Sequence, residues 1–352
     1  MLFAYQHCSH TIDHFQDFIA HLVKEVWCKP SGAFSLSKLD PDFMAIVEEL
    51  ENDKSVTASK LLAPIERLYE LFRQKLSADQ RNTVSKWFDD NNNIELLCGN
   101  DPQVVPVGYA DIEAIDTELA HHLKTFFLSL WSNILGLSAV QNAVGSIDDH
   151  YRVAFLASNS EGKCPYCGYR DLLGEYSDYR EAYDHYLPKT KYPFNTVNFR
   201  NLAPMCDRCN GKFKLAKDPL RRNSNGSRRK AFYSYGSQHP KIDIRAEIVG
   251  DLKGGVKPAN INLDFRCDGY EEEVETWLDL FKIVDRYKAK CCYKNEGTAW
   301  LERINIESIT HGISPRRMFE IEVAIARNKP WADSNFLKAP FLEACDRAKL
   351  VR

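Results

Sequence analysis

Cys164-Pro165-Tyr166-Cys167 opens the stretch on which the rest of the chain is organised, and Cys206-Asp207-Arg208-Cys209 with Asn210-Gly211-Lys212-Phe213-Lys214 closes it. Between the two pairs stand Tyr183-Asp184-His185-Tyr186-Leu187-Pro188 and Asn201-Leu202-Ala203-Pro204-Met205. Two CxxC pairs supply the four thiolates of a closed tetrahedral site, so Cys164, Cys167, Cys206 and Cys209 are expected to hold a structural Zn²⁺. A simple zinc ribbon needs only ~15–20 residues between its pairs. The insertion from Gly168 to Met205 is far longer, so something else is built inside it.

The enclosed residues suggest what that is. The aromatic-rich run 182–186 reads as a short strand stopped by Pro188, and 201–205 as its return strand, with Pro204 limiting the pairing. Asp207 is a fair N-cap for a short basic helix over 208–216. Strand, loop, strand and helix make a ββα unit. His185 is of the residue type whose ordinary pKa lies near neutral pH, so it can take a proton from water. Asp184 falls on the opposite face of a strand and is expected to do a different job. A hard cation, Mg²⁺ or Mn²⁺, suits Asp184, with the amide oxygen of Asn210 as a second ligand. Asn201 is better suited to orienting the loop or the imidazole. Together these are the parts that phosphodiester cleavage requires.

Composition sets the outer bounds. At 352 residues, 44% hydrophobic, the chain is long enough for two or three compact regions. Its net charge of −3 excludes a uniformly basic surface, so any nucleic-acid face must be local. Eleven cysteines, an odd number, favour reduced thiols and metal ligation over a disulfide framework, and the cytoplasm is the natural compartment. The apolar runs are short of a membrane span, and Met1 to His7 is no signal peptide.

Residues 1–145 read as a helical region, 146–235 as the zinc-stapled core with a basic extension, and 236–352 as a mixed, mostly helical region. The fold expected is mainly α with a small ββα-metal core, α+β overall. Ile12, Phe15, Ile19, Leu22 and Val26 fall on one helical stripe, and Ile65, Leu68, Phe72 and Leu76 on another. Ser77 with Gln80 resembles a capping box, and the helix it starts should run out at Asp89-Asp90-Asn91-Asn92-Asn93. A long helix is expected over 111–135, ended by Gly136. His7, His10, His14 and His21 lie near Cys8, but no further ligand completes a metal set. They read as a surface stripe. His121 and His122 read as structural.

A basic run leaves the core: Lys212, Lys214, Lys217, Arg221, Arg222, Arg228, Arg229 and Lys230, expected to contact nucleic-acid backbone. Beyond it, 242–248 alternates as a strand. Val274, Trp277, Leu278, Phe281 and Val284 mark an amphipathic helix, and Ser314-Pro315 starts another. Glu271, Glu272, Glu273 and Glu275 read as a solvated helix start.

Asp184-His185-x-x-Pro188, then Asn201-Leu202, then Cys206-x-x-Cys209-Asn210-x-Lys212 resembles the zinc-stapled HNH endonuclease family. The resemblance implies a ββα-metal nuclease with His185 as general base, Asp184 and Asn210 on one divalent cation, and Asn201 fixing the loop. Two positions depart from the pattern. Asn210 stands where many members have histidine, and Tyr192-Pro193-Phe194-Asn195 replaces a common glycine pair. The long helical flanks are also similar to those of HNH subunits of anti-phage systems such as Septu, which work beside an ATPase. The expectation is a metal-dependent endonuclease, DNA favoured. The alternative is a catalytically silent zinc-knuckle module that binds nucleic acid or serves as a scaffold.

Overall fold

The computed structural model describes residues 1–52, 59–237, 239–292 and 294–351. Its N-terminal part is helical: α1 (Asp13–His21), α2 (Pro41–Asn52), α3 (Ser59–Lys75), α4 (Ala78–Asn92), α5 (Ile94–Cys98), α6 (Tyr109–Glu113), α7 (Thr117–Ser129) and α8 (Ser138–Val144). The apolar stripes fold inward. Phe15, Ile19, Leu22 and Val26 are buried against Leu68 and Phe72 of the same core, and α1 continues into a π turn, Leu22–Trp27. Trp27 stacks on Phe72 and meets Phe126 edge-on, at centroid distances of 5.8 and 5.2 Å. Burying each such side chain is worth about 1.5–3 kcal/mol.

Local signals account for several boundaries. Ser77 accepts a hydrogen bond from the Gln80 N–H while Gln80 reaches back to the Ser77 N–H, so α4 starts on the expected capping box. It ends at Asn92, inside the polar cluster. The single helix expected over 111–135 is in fact broken. α6 stops at Glu113, and Asp116 accepts from the Leu119 N–H to start α7 afresh, which gives way at Leu130 to a π turn, Leu130–Ile134. Gly136 is not among the left-handed glycines, so it does not end the segment as a C′ cap.

Two short helices, α9 (Ile147–Asp149) and α10 (Leu156–Ser158), flank a π turn, His150–Phe155, and lead into the central region. There β1 (Ala182–His185) pairs antiparallel with β2 (Leu202–Met205), Ala182 opposite Met205 and His185 opposite Leu202. A π turn, Cys209–Lys214, follows. Helix begins at Asp207 itself, so Asp207 is not the cap expected; its carboxylate faces Arg170 at 3.5 Å. The C-terminal part begins with a second antiparallel pair, β3 (Asp243–Ile248) and β4 (Ile261–Arg266). Five helices complete it: α11 (Glu271–Phe281), α12 (Ile283–Lys290), α13 (Glu296–His311), α14 (Pro315–Asn328) and α15 (Asn335–Arg347). Ser314 caps α14 through the Arg317 N–H, with Pro315 at the first helical position.

The architecture is mostly helical with two small sheets, an α+β arrangement. One cluster of buried apolar side chains runs through the N-terminal, central and C-terminal parts. Among the described residues no single helix is long and apolar enough to cross a membrane. Thr117–Ile134 and Ser138–Val144 reach that length only together, with a bend of 82° between them, and most of their apolar residues lie in the core.

Candidate functional site

The four cysteines of the two knuckles come together. Cys164, Cys167, Cys206 and Cys209 are buried, and their sulfurs all lie within 4.8 Å of one another. Tetrahedral zinc at about 2.3 Å from each sulfur sets the sulfurs about 3.8 Å apart, and Cys167 and Cys206 stand at 3.9 Å. A disulfide needs about 2.05 Å, and every described cysteine is free. The donor set therefore fits Zn²⁺. The Gly168 N–H donates to the Cys164 carbonyl, 2.7 Å, folding the first knuckle back on itself. Gly168 has φ +75°, and a Cβ there would sit 2.2 Å from Leu2 Cδ1, so only glycine suits both the backbone and the packing. Four buried thiolates around Zn²⁺ leave excess negative charge. The Arg286 guanidinium of α12, 3.4 Å from Cys209 Sγ, is placed to offset it.

Inside the staple, β1 sends its last two residues to different neighbours, as alternation along a strand requires. His185 Nε2 lies 2.9 Å from the Thr196 carbonyl oxygen. That acceptor fixes the tautomer: Nε2 carries the proton and Nδ1 keeps a lone pair. Trp131 meets the ring edge-on at 4.8 Å. Burial, then the positive charge of Lys189, lowers the His185 pKa to about 3, so the ring is neutral.

The loop between the strands is clamped from two sides. Asn201, fully buried, accepts from the Leu187 N–H (2.8 Å) and donates to the Leu187 carbonyl (3.0 Å), tying the end of β1 to the start of β2. On the other side stands the polar end of α4. Asn91 Nδ2 donates to the Val107 and Pro193 carbonyls, and the Asn91 carbonyl accepts from Asn195 Nδ2. Phe194 takes φ +79°, a backbone conformation that favours glycine, at the place where the HNH pattern has its glycine pair. Its ring is locked against Phe88 and Phe127 at 5.5 and 5.2 Å, and its carbonyl accepts from Gln16 Nε2 and Asn92 Nδ2. Tertiary contacts thus hold a turn that glycines would make locally. Asn91, Asn92, Trp131 and Thr196 escaped sequence reading. The run Asn91-Asn92-Asn93 was visible as a helix stop, but its partners in the loop, at 193–198, lie about a hundred residues away.

Asp184 is 5% exposed and faces Lys214, which is fully buried, with Oδ2 to Nζ at 3.5 Å. Neither atom has a hydrogen-bond partner among the described residues. Burial raises the Asp184 pKa, with Lys214 partly opposing, and burial lowers that of Lys214, with Asp184 partly opposing. The orphaned carboxylate oxygen has the chemistry of a ligand for a hard cation, but an ammonium already stands beside it. Asn210 is half-buried one turn before Lys214, and its side chain makes no hydrogen bond among the described residues.

The basic run does not form the continuous surface that the sequence suggests. Lys214 and Arg229 are buried, so neither is a surface phosphate contact. Arg229 pairs with Asp279 at 3.0 Å and donates to the Pro219 and Asp218 carbonyls. Arg222 bonds Glu272 and Glu275, so that part of the acidic cluster is paired, and Glu273 is itself buried. Arg228 donates to the Leu97 and Leu220 carbonyls, and Lys217 to that of Leu280. Lys212 and Arg221 are exposed, while Lys217, Arg222, Arg228 and Lys230 are half-buried. Nor do the N-terminal histidines form a ligand set, although the His10 ring lies 5.5 Å from that of His150. His14 pairs with Asp17, His21 bonds the Lys38 carbonyl, and among the described residues only the four cysteines form a metal-ligand group.

No family model and no solved structure matches the chain. Over 57 residues it is 53% identical to Septu protein PtuB from Bacillus thuringiensis. That similarity covers 16% of this chain and 21% of the relative, so the chain matches only about a fifth of that curated protein's length. What stands at this point is a four-cysteine cluster able to hold a metal ion, enclosing a histidine and a carboxylate, in a chain locally similar to a Septu protein.

Proposed function

We propose that the chain is a metal-dependent endonuclease of the HNH kind, hydrolysing nucleic-acid phosphodiester bonds, with DNA favoured, as an effector in an anti-phage assembly beside an ATPase. The observation carrying this reading is the setting of His185. Its Nε2–H is committed to the Thr196 carbonyl, Nδ1 is left as the proton acceptor, and Asn201 ties down the loop that supplies that carbonyl. Nδ1 would take the proton from the attacking water, the negative charge of a bound phosphate would raise the low basicity that burial imposes, and the Thr196 carbonyl would stabilise the resulting imidazolium. The local similarity to a Septu protein supports the anti-phage setting.

A divalent cation held by Asp184 and Asn210 would supply charge to the phosphate as it accumulates negative charge. Lys212, Lys217, Arg221, Arg222, Arg228 and Lys230 are proposed to contact backbone phosphates. In this scheme 146–235 carries the chemistry, and 1–145 and 236–352 brace it and meet the partner.

A second reading has its own observation. With the Lys214 ammonium 3.5 Å from Asp184, the carboxylate already has a counter-charge, which favours a silent zinc module that binds without cutting. Nicking of supercoiled plasmid separates the two. Under the nuclease reading, cleavage appears with added Mg²⁺ or Mn²⁺ and disappears in His185→Ala. Under the silent reading, both proteins bind DNA and neither cuts, with or without an ATPase partner. Cleavage that survives His185→Ala rules out the proposed base.

A further inference from the structure

The second knuckle has an outer face that the hydrolytic site does not use. A cleft of about 530 Å³ opens there, its cations drawn from three separate segments. Tyr169 and Arg170 come from just after the first cysteine pair, Arg208, Lys212 and Phe213 from the second, and Arg286 and Lys290 from α12. Five cations from three segments converge on one concavity, and Glu296 is the one carboxylate among the lining residues. In a chain of net charge −3, so local an excess of positive charge is not a compositional accident.

The cations are not equivalent. Arg286 is spent inward, stacked 4.1 Å from the Phe213 ring centre with its guanidinium on Cys209 Sγ, where it offsets thiolate charge. Lys290 lies 4.6 Å from the Tyr169 ring centre and bonds Glu296, and Arg170 meets Asp207 at the rim at 3.5 Å. Arg208 and Lys212 are both exposed, and neither side chain has an ion pair or hydrogen bond among the described residues. They are four residues apart on one helical segment, so they project together. Arg208 also sits between two cysteines of the metal site, which fixes its backbone. Two exposed cations without an ion pair among the described residues, lining a cleft whose other cations are spent on its aromatic rings, suit a polyanion.

We propose that this cleft is a nucleic-acid backbone site, in which Arg208 and Lys212 hold phosphates. It rests on the nucleic-acid reading above, shares Lys212 with it, and adds Arg208 on the outer face of the second cysteine knuckle. Lys212 and Lys214 then divide the work of one turn. Lys214 points inward to Asp184, and Lys212 points outward to the cleft.

The test is binding of a fluorescein-labelled 20-base-pair duplex to the full-length protein by anisotropy, without added divalent cation, across a salt series. Arg208→Glu/Lys212→Glu is compared with the wild type and with the charge-matched Lys253→Glu/Lys257→Glu, whose lysines are exposed on the β3–β4 connection. Loss of two phosphate contacts lowers the salt slope, d log K/d log [salt], by about 2, and weakens binding at least about tenfold. The control keeps the wild-type slope, and all three proteins melt alike because the substituted side chains are exposed. A double variant with unchanged slope and affinity overturns the proposal, as does a wild-type protein that binds no duplex. Displacement of the duplex by polyglutamate but not by single-stranded DNA overturns it in favour of an acidic protein partner. Plasmid cleavage measured in parallel keeps the two readings apart. Wild-type cutting with slope-neutral cleft variants removes only the cleft, and cleft-dependent binding without cutting removes only the nuclease.

Discussion

Replacing Lys214 with methionine separates a structural lysine from one that stands where a metal ion belongs. Asp184 and Lys214 are both buried and stand 3.5 Å apart, and neither Oδ2 nor Nζ has a hydrogen bond among the described residues, although Nζ also lies 5.7 Å from the Tyr186 ring centre. Such a pair gains Coulomb attraction but recovers little of what desolvation costs, whereas removing one partner strands the other charge at about 3–5 kcal/mol. At about 2.1 cal/mol/K per residue of unfolding entropy, that corresponds to a melting temperature lowered by roughly 4–7 °C for a chain of this length. Removing both charges in Asp184→Leu/Lys214→Met should recover most of the loss, because no uncompensated charge remains. If a hard cation belongs beside Asp184, the single variant binds Mg²⁺ or Mn²⁺ in place of the ammonium. It then regains about 1.4 kcal/mol at ten times the dissociation constant. Calorimetric melting of wild type, single and double variants, with and without the ion, reads all of this. A Lys214→Met protein that melts with the wild type refutes the buried-pair argument. One that is destabilised yet indifferent to metal refutes the cation site.

Three further outcomes follow from the geometry. Cys206→Ser should lower bound zinc from one equivalent and melt well below the wild type, since structural zinc contributes about 10–16 kcal/mol in zinc-finger peptides; unchanged metal content by mass spectrometry would sink the four-thiolate site. Asn201→Ala strips partners from both the buried N–H and the carbonyl of Leu187, at about 1–3 kcal/mol each, so urea unfolding should show a loss of about 2–6 kcal/mol. His150, 2% exposed, has its pKa lowered to about 3 by burial and then by the charges of His10 and His7, while the unfolded chain titrates near 6.5. The unfolded state therefore binds a proton that the native state refuses, and stability present above pH 6.5 is lost toward pH 3 at up to about 1.4 kcal/mol per unit. On going from pH 6.5 to 5, His150→Gln should lose about 2 kcal/mol less than the wild type, and equal losses would contradict the assignment.

What could be read in advance was what depends on neighbours in the chain. The Ser77–Gln80 box, the stop at Asn92, the two short strands and the cysteine pairs are signals carried within a few residues, or by ligand chemistry that tolerates few alternatives. The failures share a physical cause. Lys214 and Arg229 belong to a run of like charges, and nothing local distinguishes them from Lys212. Their burial is decided by Asp184 and Asp279, 30 and 50 residues away. The break at Asp116 inside a continuous apolar stripe shows the converse case. Periodicity persisted across it, but a side-chain cap started a new helix, and one aspartate outweighed the pattern.

The same contrast explains how so small a sheet can hold His185 in one orientation. Two four-residue strands cannot fix a loop by themselves, and this loop contains a left-handed phenylalanine in place of glycines. Its shape is imposed by α4 through Asn91 and Asn92, by α1 through Gln16, and by the aromatic faces of Phe88 and Phe127. Trp131, from the turn after α7, forms one wall against His185. The N-terminal helices are therefore part of the site's geometry as well as its neighbours. A protein partner that bent α4 or shifted the α7 turn would move the Thr196 carbonyl relative to His185, and with it the basicity and aim of Nδ1. That gives the helical flank a direct physical route for restraining or releasing the proposed chemistry, without touching the cysteines, Asp184 or the cleft behind the zinc.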